Sequence, residues 1–217
     1  TITMKKTIVL TLILSSLFFQ SFSQEIRFGA LAGLKVSSLH TPNKHEFGNS
    51  YWSNNEVYPM LNFNINAYFA YKFKNKIGIS IEPGYISKGT EIKYSMQQFL
   101  YSEDGPYTKL RKHFIYTPLF FDWYFSERFS LSIGPEFAYH LSTTVIEPYE
   151  TLKYDAGDKP FQLSANIGLN FKIINHICIG IRYSHELPIY DPKYSSYDHY
   201  LQLMLRFNIS KNLKYTR

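Results

Sequence analysis

The sequence predicts an all-β fold: an eight-stranded antiparallel up-and-down barrel that crosses a membrane with its strands. Three observations carry that prediction. Apolar and polar residues alternate with period two along most of the chain. Eight such segments are joined alternately by short and long connections. The apolar face is richer in rings and large aliphatics than eight strands packing on one another would cover. The chain has 217 residues, with 19 Tyr and 18 Phe against 2 Trp, and hydrophobic residues reach 45%. Mean hydropathy is nonetheless −0.23, below that of a bundle of membrane helices. So much aromatic and β-branched material excludes disorder. One cysteine, Cys178, excludes an internal disulfide framework and a Cys-based zinc site.

The first segment reads as an address. Met4-Lys5-Lys6 precedes an apolar stretch from Thr7 to Phe19, too short to span a bilayer comfortably, and Ser21 and Ser23 stand at −3 and −1 of a cut before Gln24. Residues 1–23 are therefore expected to be a cleaved signal peptide, with Thr1-Ile2-Thr3 upstream of its start. No Cys follows, so lipid anchoring at that point is not expected. The formal charge of +6 falls to +4 once Lys5 and Lys6 leave, a surplus too small to argue for nucleic acid. Residues 24–210 are assigned to the barrel and 211–217 to a short periplasmic tail.

Alternation is clearest over 61–73, where Leu61, Phe63, Ile65, Ala67, Phe69, Tyr71 and Phe73 interleave with Asn62, Asn64, Asn66 and Lys72. The same frame recurs over 129–141, 161–173 and 201–209, and in weaker form over 26–37, 77–90, 113–125 and 177–187. Short links at 74–76, 126–128 and 174–176 alternate with long ones at roughly 38–58, 95–110, 145–159 and 188–198. Tight turns on one side and long loops on the other are the pattern of an outer-membrane barrel. A soluble sandwich would put charge on its polar face and confine rings to one core. Here the polar face carries Gly, Ser and Asn with isolated charges, which suits a crowded lumen, and a closed sheet in lipid leaves no backbone group unpaired.

Four stretches carry a family resemblance: Ile81-Glu-Pro-Gly-Tyr-Ile-Ser-Lys-Gly89, Ile115-Tyr-Thr-Pro-Leu-Phe-Phe-Asp-Trp-Tyr-Phe125, Ile133-Gly-Pro-Glu-Phe-Ala-Tyr-His-Leu-Ser142 and Ile179-Gly-Ile-Arg-Tyr-Ser-His-Glu-Leu187. Over about 26–210 the chain resembles the PorT-like outer-membrane β-barrel proteins of Bacteroidota. The resemblance implies fold and outer-membrane location; some relatives are implied to act in secretion or gliding machinery, a role it does not by itself transfer. Two departures stand out. Lys35 occupies a position where many relatives carry Asn, and ten residues follow Phe207 where the family closes near a terminal aromatic.

If odd residues face lipid from the second strand onward, the lumen receives Lys72, Glu82, Lys88, Asp122, Glu136, His140, Lys172, Arg182, Glu186 and Arg206, and the first strand adds Arg27 and Lys35. The interior of eight strands is just wide enough for side chains to fill. These charges read either as a polar path or as a network of ion pairs that plugs the lumen. Acids and bases in near balance between low-dielectric walls favour the plug. The long loops hold Glu46, Glu56, Glu103, Asp104, Glu147, Glu150, Asp155, Asp158, Asp191 and Asp198 against Lys44, Lys109, Lys153, Lys159 and Lys193, a sum of −5. Tyr51, Trp52, Tyr58, Tyr101, Tyr107, Tyr149, Tyr154, Tyr190, Tyr194, Tyr197 and Tyr200 accompany them, as a partner surface or as an interfacial girdle, and the girdle is the better reading near strand ends.

His140, Ser142 and Glu136 share a face if alternation is unbroken, and supply the ingredients of acyl transfer; a hydrogen-bonded rim is the reading preferred. Asp155-Ala-Gly-Asp158 lacks the spacing of a calcium loop. No cofactor or metal is expected, and the sequence points away from an enzyme. The expected protein is a monomer of the outer membrane, in contact with its lipid or lipopolysaccharide, whose outer loops meet a protein or polysaccharide partner. A narrow porin-like channel is the alternative, and a lipid-modifying enzyme the third reading.

Overall fold

The computed structural model describes residues 25–40, 56–73, 76–93, 107–147, 149–155, 160–188 and 197–209. Ten strands cover most of them: β1 (Glu25–His40), β2 (Glu56–Lys72), β3 (Ile77–Ile81), β4 (Gly84–Lys93), β5 (Tyr107–Trp123), β6 (Phe129–Ile146), β7 (Thr151–Asp155), β8 (Phe161–Ile174), β9 (Ile177–Leu187) and β10 (Tyr197–Asn208). Every pairing is antiparallel, and β3 with β4 and β7 with β8 follow one another along a single stave, so the ten make eight staves. β1 pairs with β10 from Gly29↔Asn208 to His40↔Tyr197, which closes the ring. The expected eight-stranded barrel is the fold.

The closure is staggered. Stepping across the hydrogen bonds from Ser130 leads to Asn170, Gly180, Met204, Gly33, Asn64, Ile86, Phe114 and back to the starting strand at His140, ten residues further along. Such a shear tilts the strands by about 40–45° to the axis. No helix among the described residues is long and apolar enough to cross a membrane. The crossing is made by strands whose outward residues are exposed apolar ones: Leu34 on β1, Phe63 and Ile65 on β2, Ile115 and Phe121 on β5, Leu169 on β8, Ile181 on β9, Leu203 on β10.

Three local features depart from the sequence reading. The segment expected as one strand over 77–90 is broken at Glu82-Pro83. Proline has no N–H to give the ladder, and the break is bridged by Ala67 N–H donating to Pro83 O at 2.9 Å and Glu82 N–H to Pro118 O at 3.1 Å. Gly84 reopens the strand where a Cβ would lie 2.3 Å from the Ile65 carbonyl oxygen, a spacing only glycine tolerates.

The second departure is length. β2, β5 and β6 run into segments expected as loops, and β7 forms inside the stretch 145–159. Beyond the bilayer both faces of a strand meet water, so alternation, the signal used to find strands, has no reason to persist. The third is a bulge. Phe114 pairs with His140 and His113 with Ser142, so two residues of β6 stand opposite one of β5.

The predicted signal peptide, the tail 211–217 and the loop residues Lys44, Glu46, Tyr51, Trp52, Tyr101, Glu103, Asp104, Asp158, Lys159, Tyr190, Asp191, Lys193 and Tyr194 lie outside the described residues.

Candidate functional site

Alternation aims one side chain in two at the barrel axis, and the interior they build is polar and densely packed. Glu82 and Glu136 are fully buried, as are Lys35, Lys88, Arg182 and Gln202 to within 1%. Two charge clusters cross it. In the half nearer the short turns, Glu82, held at the strand break, accepts from Arg182 Nη2 at 2.7 Å and from Arg206 Nη2 at 2.8 Å. Each guanidinium also lies over a ring, Arg182 4.2 Å from the Phe120 centroid and Arg206 3.9 Å from that of Tyr68. The carboxylate thus joins the third stave to the seventh and eighth, spanning the lumen.

In the half nearer the long connections, Glu136 accepts from Lys88 Nζ at 3.1 Å, from Asn166 Nδ2 at 3.3 Å and from the Tyr200 hydroxyl. Those partners lie on β4, β8 and β10, so a second tie links opposing walls. Between the clusters Asn64 donates to Asn66 and to the Tyr116 hydroxyl, and Gln202 donates to Asn64 Oδ1 at 2.6 Å.

The remaining interior charges are distributed unevenly. Lys35 is 1% exposed, its Nζ makes no hydrogen bond, and the Tyr200 ring lies 4.6 Å away. Asp122 accepts from the Ser132 hydroxyl, which Asn170 also reaches at 2.9 Å. Near the short turns Arg27 pairs with Glu25 at 2.8 Å, and Arg27 and Lys72 both approach the Tyr124 ring. Lys172 is half-buried there, its backbone N–H donating to Arg128 O at 2.7 Å. Glu186, half-buried toward the other end, accepts from the Asp198 N–H at 2.9 Å.

Several interior residues lie outside the sequence expectation. Tyr200, grouped with the interfacial tyrosines, is buried at 1% exposure and ties to Glu136. Asp198, counted among loop acids, is buried and lies 3.5 Å from Lys112. Phe114, Tyr116, Phe120 and Tyr124 form an aromatic inner wall on β5 and just beyond it. The apolar character of 113–125 at both even and odd positions was the available signal.

The arrangement does not assemble a triad. Because of the bulge, His140 and Ser142 pair with adjacent residues of β5, which face opposite sides of the sheet. His140 Nε2 instead meets Thr143 Oγ1 at 2.9 Å, and Glu136 is engaged elsewhere. Among the described residues no group of three or more His, Cys, Asp or Glu is placed to hold a metal ion.

No curated protein matches the chain by sequence. Among solved structures, the Neisserial surface protein A is similar at 10% identity and TM-score 0.50, over 83% of this chain and 96% of that one. Ail, the attachment invasion locus protein of Yersinia pestis, crystallised with the heparin analogue sucrose octasulfate, has 14% identity over 85% of this chain and 99% of its own, with TM-score 0.47. OprG of Pseudomonas aeruginosa has 14% identity over 85% and 93%, with TM-score 0.36. Residues 18–187, most of the sequence, match the profile of the outer membrane protein beta-barrel domain. With a closed ring of eight staves, an apolar exterior and a charged, filled interior, the chain belongs to the family of outer membrane beta-barrel domain proteins, and its place is the outer membrane.

Proposed function

We propose that this barrel is a closed, non-enzymatic anchor that holds its long connections at the cell surface, where they meet a protein or polysaccharide partner. In this reading it is a monomer, exported with its first 23 residues as a cleaved signal peptide, and a PorT-like barrel of Bacteroidota. The observation that carries the closed state is Glu82, fully buried and bonded to Arg182 and Arg206 from across the lumen. A path for ions needs a continuous column of water, and side chains from opposing walls occupy that column twice over, at Glu82 and at Glu136. Neighbouring barrels lend a general precedent for surface roles: one is named as a surface protein and another as an attachment protein.

Planar-bilayer recording of the purified mature chain tests the reading. The wild-type barrel is expected to be silent, and the Glu82→Ala/Glu136→Ala double variant to show flickering conductance. Discrete steps from the wild type would replace the anchor with the narrow channel.

A further inference from the structure

The Lys and Arg residues of the described strands are sorted by face and by sector. Arg27, Lys35, Lys72, Lys88, Lys112, Lys172, Arg182 and Arg206 alternate into the lumen. Lys93, Lys109, Arg111 and Lys153 alternate outward, and all four lie on β4, β5 and β7 at the end away from the short turns. At the same end of β8, β9, β10 and β1 the outward positions hold Phe161, Leu187, His185, His199 and Ser38. A rim that only needed solvation would carry its cations all round.

Registers bring the outward cations into one patch. Thr144 is the cross-strand neighbour of Arg111 on one side and of Lys153 on the other, so the three form a row across β5, β6 and β7. One outward step toward the membrane, His113 touches that row through Nε2 to Thr144 Oγ1 at 3.2 Å and reaches the Tyr85 hydroxyl through Nδ1 at 2.5 Å. Below it the outward face of β5 continues as Ile115, Leu119, Phe121 and Trp123, all exposed apolar residues. The cations therefore begin where the apolar band ends. Carboxylates share the sector: Glu91 lies 4.0 Å from an exposed Lys109, Asp155 pairs in register with Ser142, Glu56 pairs in register with Lys93, and Glu147 and Glu150 stand one residue beyond the Ile146↔Thr151 pair. A long surface pair such as Glu91 with Lys109 neutralises little, and the Arg111–Thr144–Lys153 row sets two cations and a hydroxyl side by side next to a low-dielectric surface, where an approaching anion is held more strongly than in water.

We propose that Arg111, Lys153 and Lys109, with Thr144 and His113 between them, seat the phosphate of an outer-leaflet glycolipid whose acyl chains lie along Ile115 and Tyr139. The chemistry matches on each part: Arg offers a planar fork to phosphate, Lys a point charge, Thr a hydroxyl donor, and the apolar wall directly below receives hydrocarbon. This rests on the reading that the long connections face the outside, and is independent of whether the lumen conducts.

The test is native mass spectrometry of the folded mature chain in detergent, titrated with bis-phosphorylated lipid A and, separately, with the same lipid after phosphatase treatment. The phosphorylated lipid is expected to bind, and the Lys109→Ala/Arg111→Ala/Lys153→Ala variant to bind it about tenfold more weakly or worse. The phosphate-free lipid is expected to bind the wild type no better than the variant binds the intact one. Lys76→Ala/Arg128→Ala, at the opposite end, is expected to leave binding unchanged, and Glu91→Gln to leave it equal or tighter. Equal binding of both lipids, equal binding by the triple variant, or an equal loss in Lys76→Ala/Arg128→Ala overturns the proposal. A heat-modifiable band on a gel verifies folding of each variant; should the triple variant fail to fold, Arg111→Gln alone replaces it, with a several-fold loss expected and no loss overturning. A conducting wild-type barrel would sink the anchor reading and leave this result untouched.

Discussion

Arg182 donates to Glu82 at 2.7 Å across the width of the barrel, from a residue 100 positions distant in sequence. Neither side chain is accessible to solvent beyond 1%. Removing one partner of such a pair strands the other, and here Glu82→Ala strands two guanidiniums at once. A destabilisation of about 3–5 kcal/mol is expected, read as a lowered urea midpoint for the barrel refolded into vesicles. An unchanged midpoint would mean that the lumen is wet enough to solvate both arginines.

Lys35 and Lys88 give a contrast within one cluster. Lys88 is bonded to Glu136 at 3.1 Å, whereas Lys35 has no hydrogen-bond partner and lies 4.6 Å from the centroid of the Tyr200 ring. Lys88→Met is expected to lower stability, by about 3 kcal/mol or more, by leaving Glu136 without its bonded cation. Lys35→Met removes an unpaired buried charge and replaces it with a flexible apolar chain of similar length, so stability is expected to stay level or rise. The same urea titration decides; a loss in Lys35→Met equal to that in Lys88→Met would show that Lys35 holds a structural contact.

On the lipid-facing side the cost of a charge depends on depth. Leu203 stands mid-strand on β10, 58% exposed, between Leu34 and Ile181. Leu203→Arg is expected to destabilise the barrel by about 2–4 kcal/mol, and His199→Arg, near the end of the same outward row, by about 0–1 kcal/mol. Equal and small effects in both would argue that water, and not hydrocarbon, meets that wall.

How much of this was legible in the sequence follows from what each signal encodes. Leu61 to Phe73 announces its two faces because the two media differ, and that difference is written residue by residue. Glu82, Arg182 and Arg206 can be assigned to the polar face of their strands in the same way. Their meeting cannot, because it depends on stagger and on which staves oppose one another. Tyr200 reads as an interfacial tyrosine because a ring beside a loop fits both environments, and the register with Ser37 and Ser184 turns it inward. Alternation puts Ser142 on the face of His140 only if it runs unbroken, and no glycine or proline marks the bulge that breaks it. β7 carries no two-face alternation, because Thr151, Lys153, Tyr154 and Asp155 are all exposed and period two has nothing to mark. The lipid-side cations were visible as letters, and became a patch only when Arg111, Thr144 and Lys153 fell in one row.

The join between β1 and β10 has a temporal consequence. It unites Gly29 with Asn208, so the cylinder is incomplete until β10 has been delivered. Contacts of such large sequence separation form slowly, because the entropy of drawing distant segments together is lost before their bonds are gained. Until that moment one strand edge at each side stays unsatisfied, and an open edge in hydrocarbon is untenable. Insertion and closure must therefore be nearly concerted, and the finished molecule, once sealed, should leave its membrane-bound state on a timescale set by breaking that last seam.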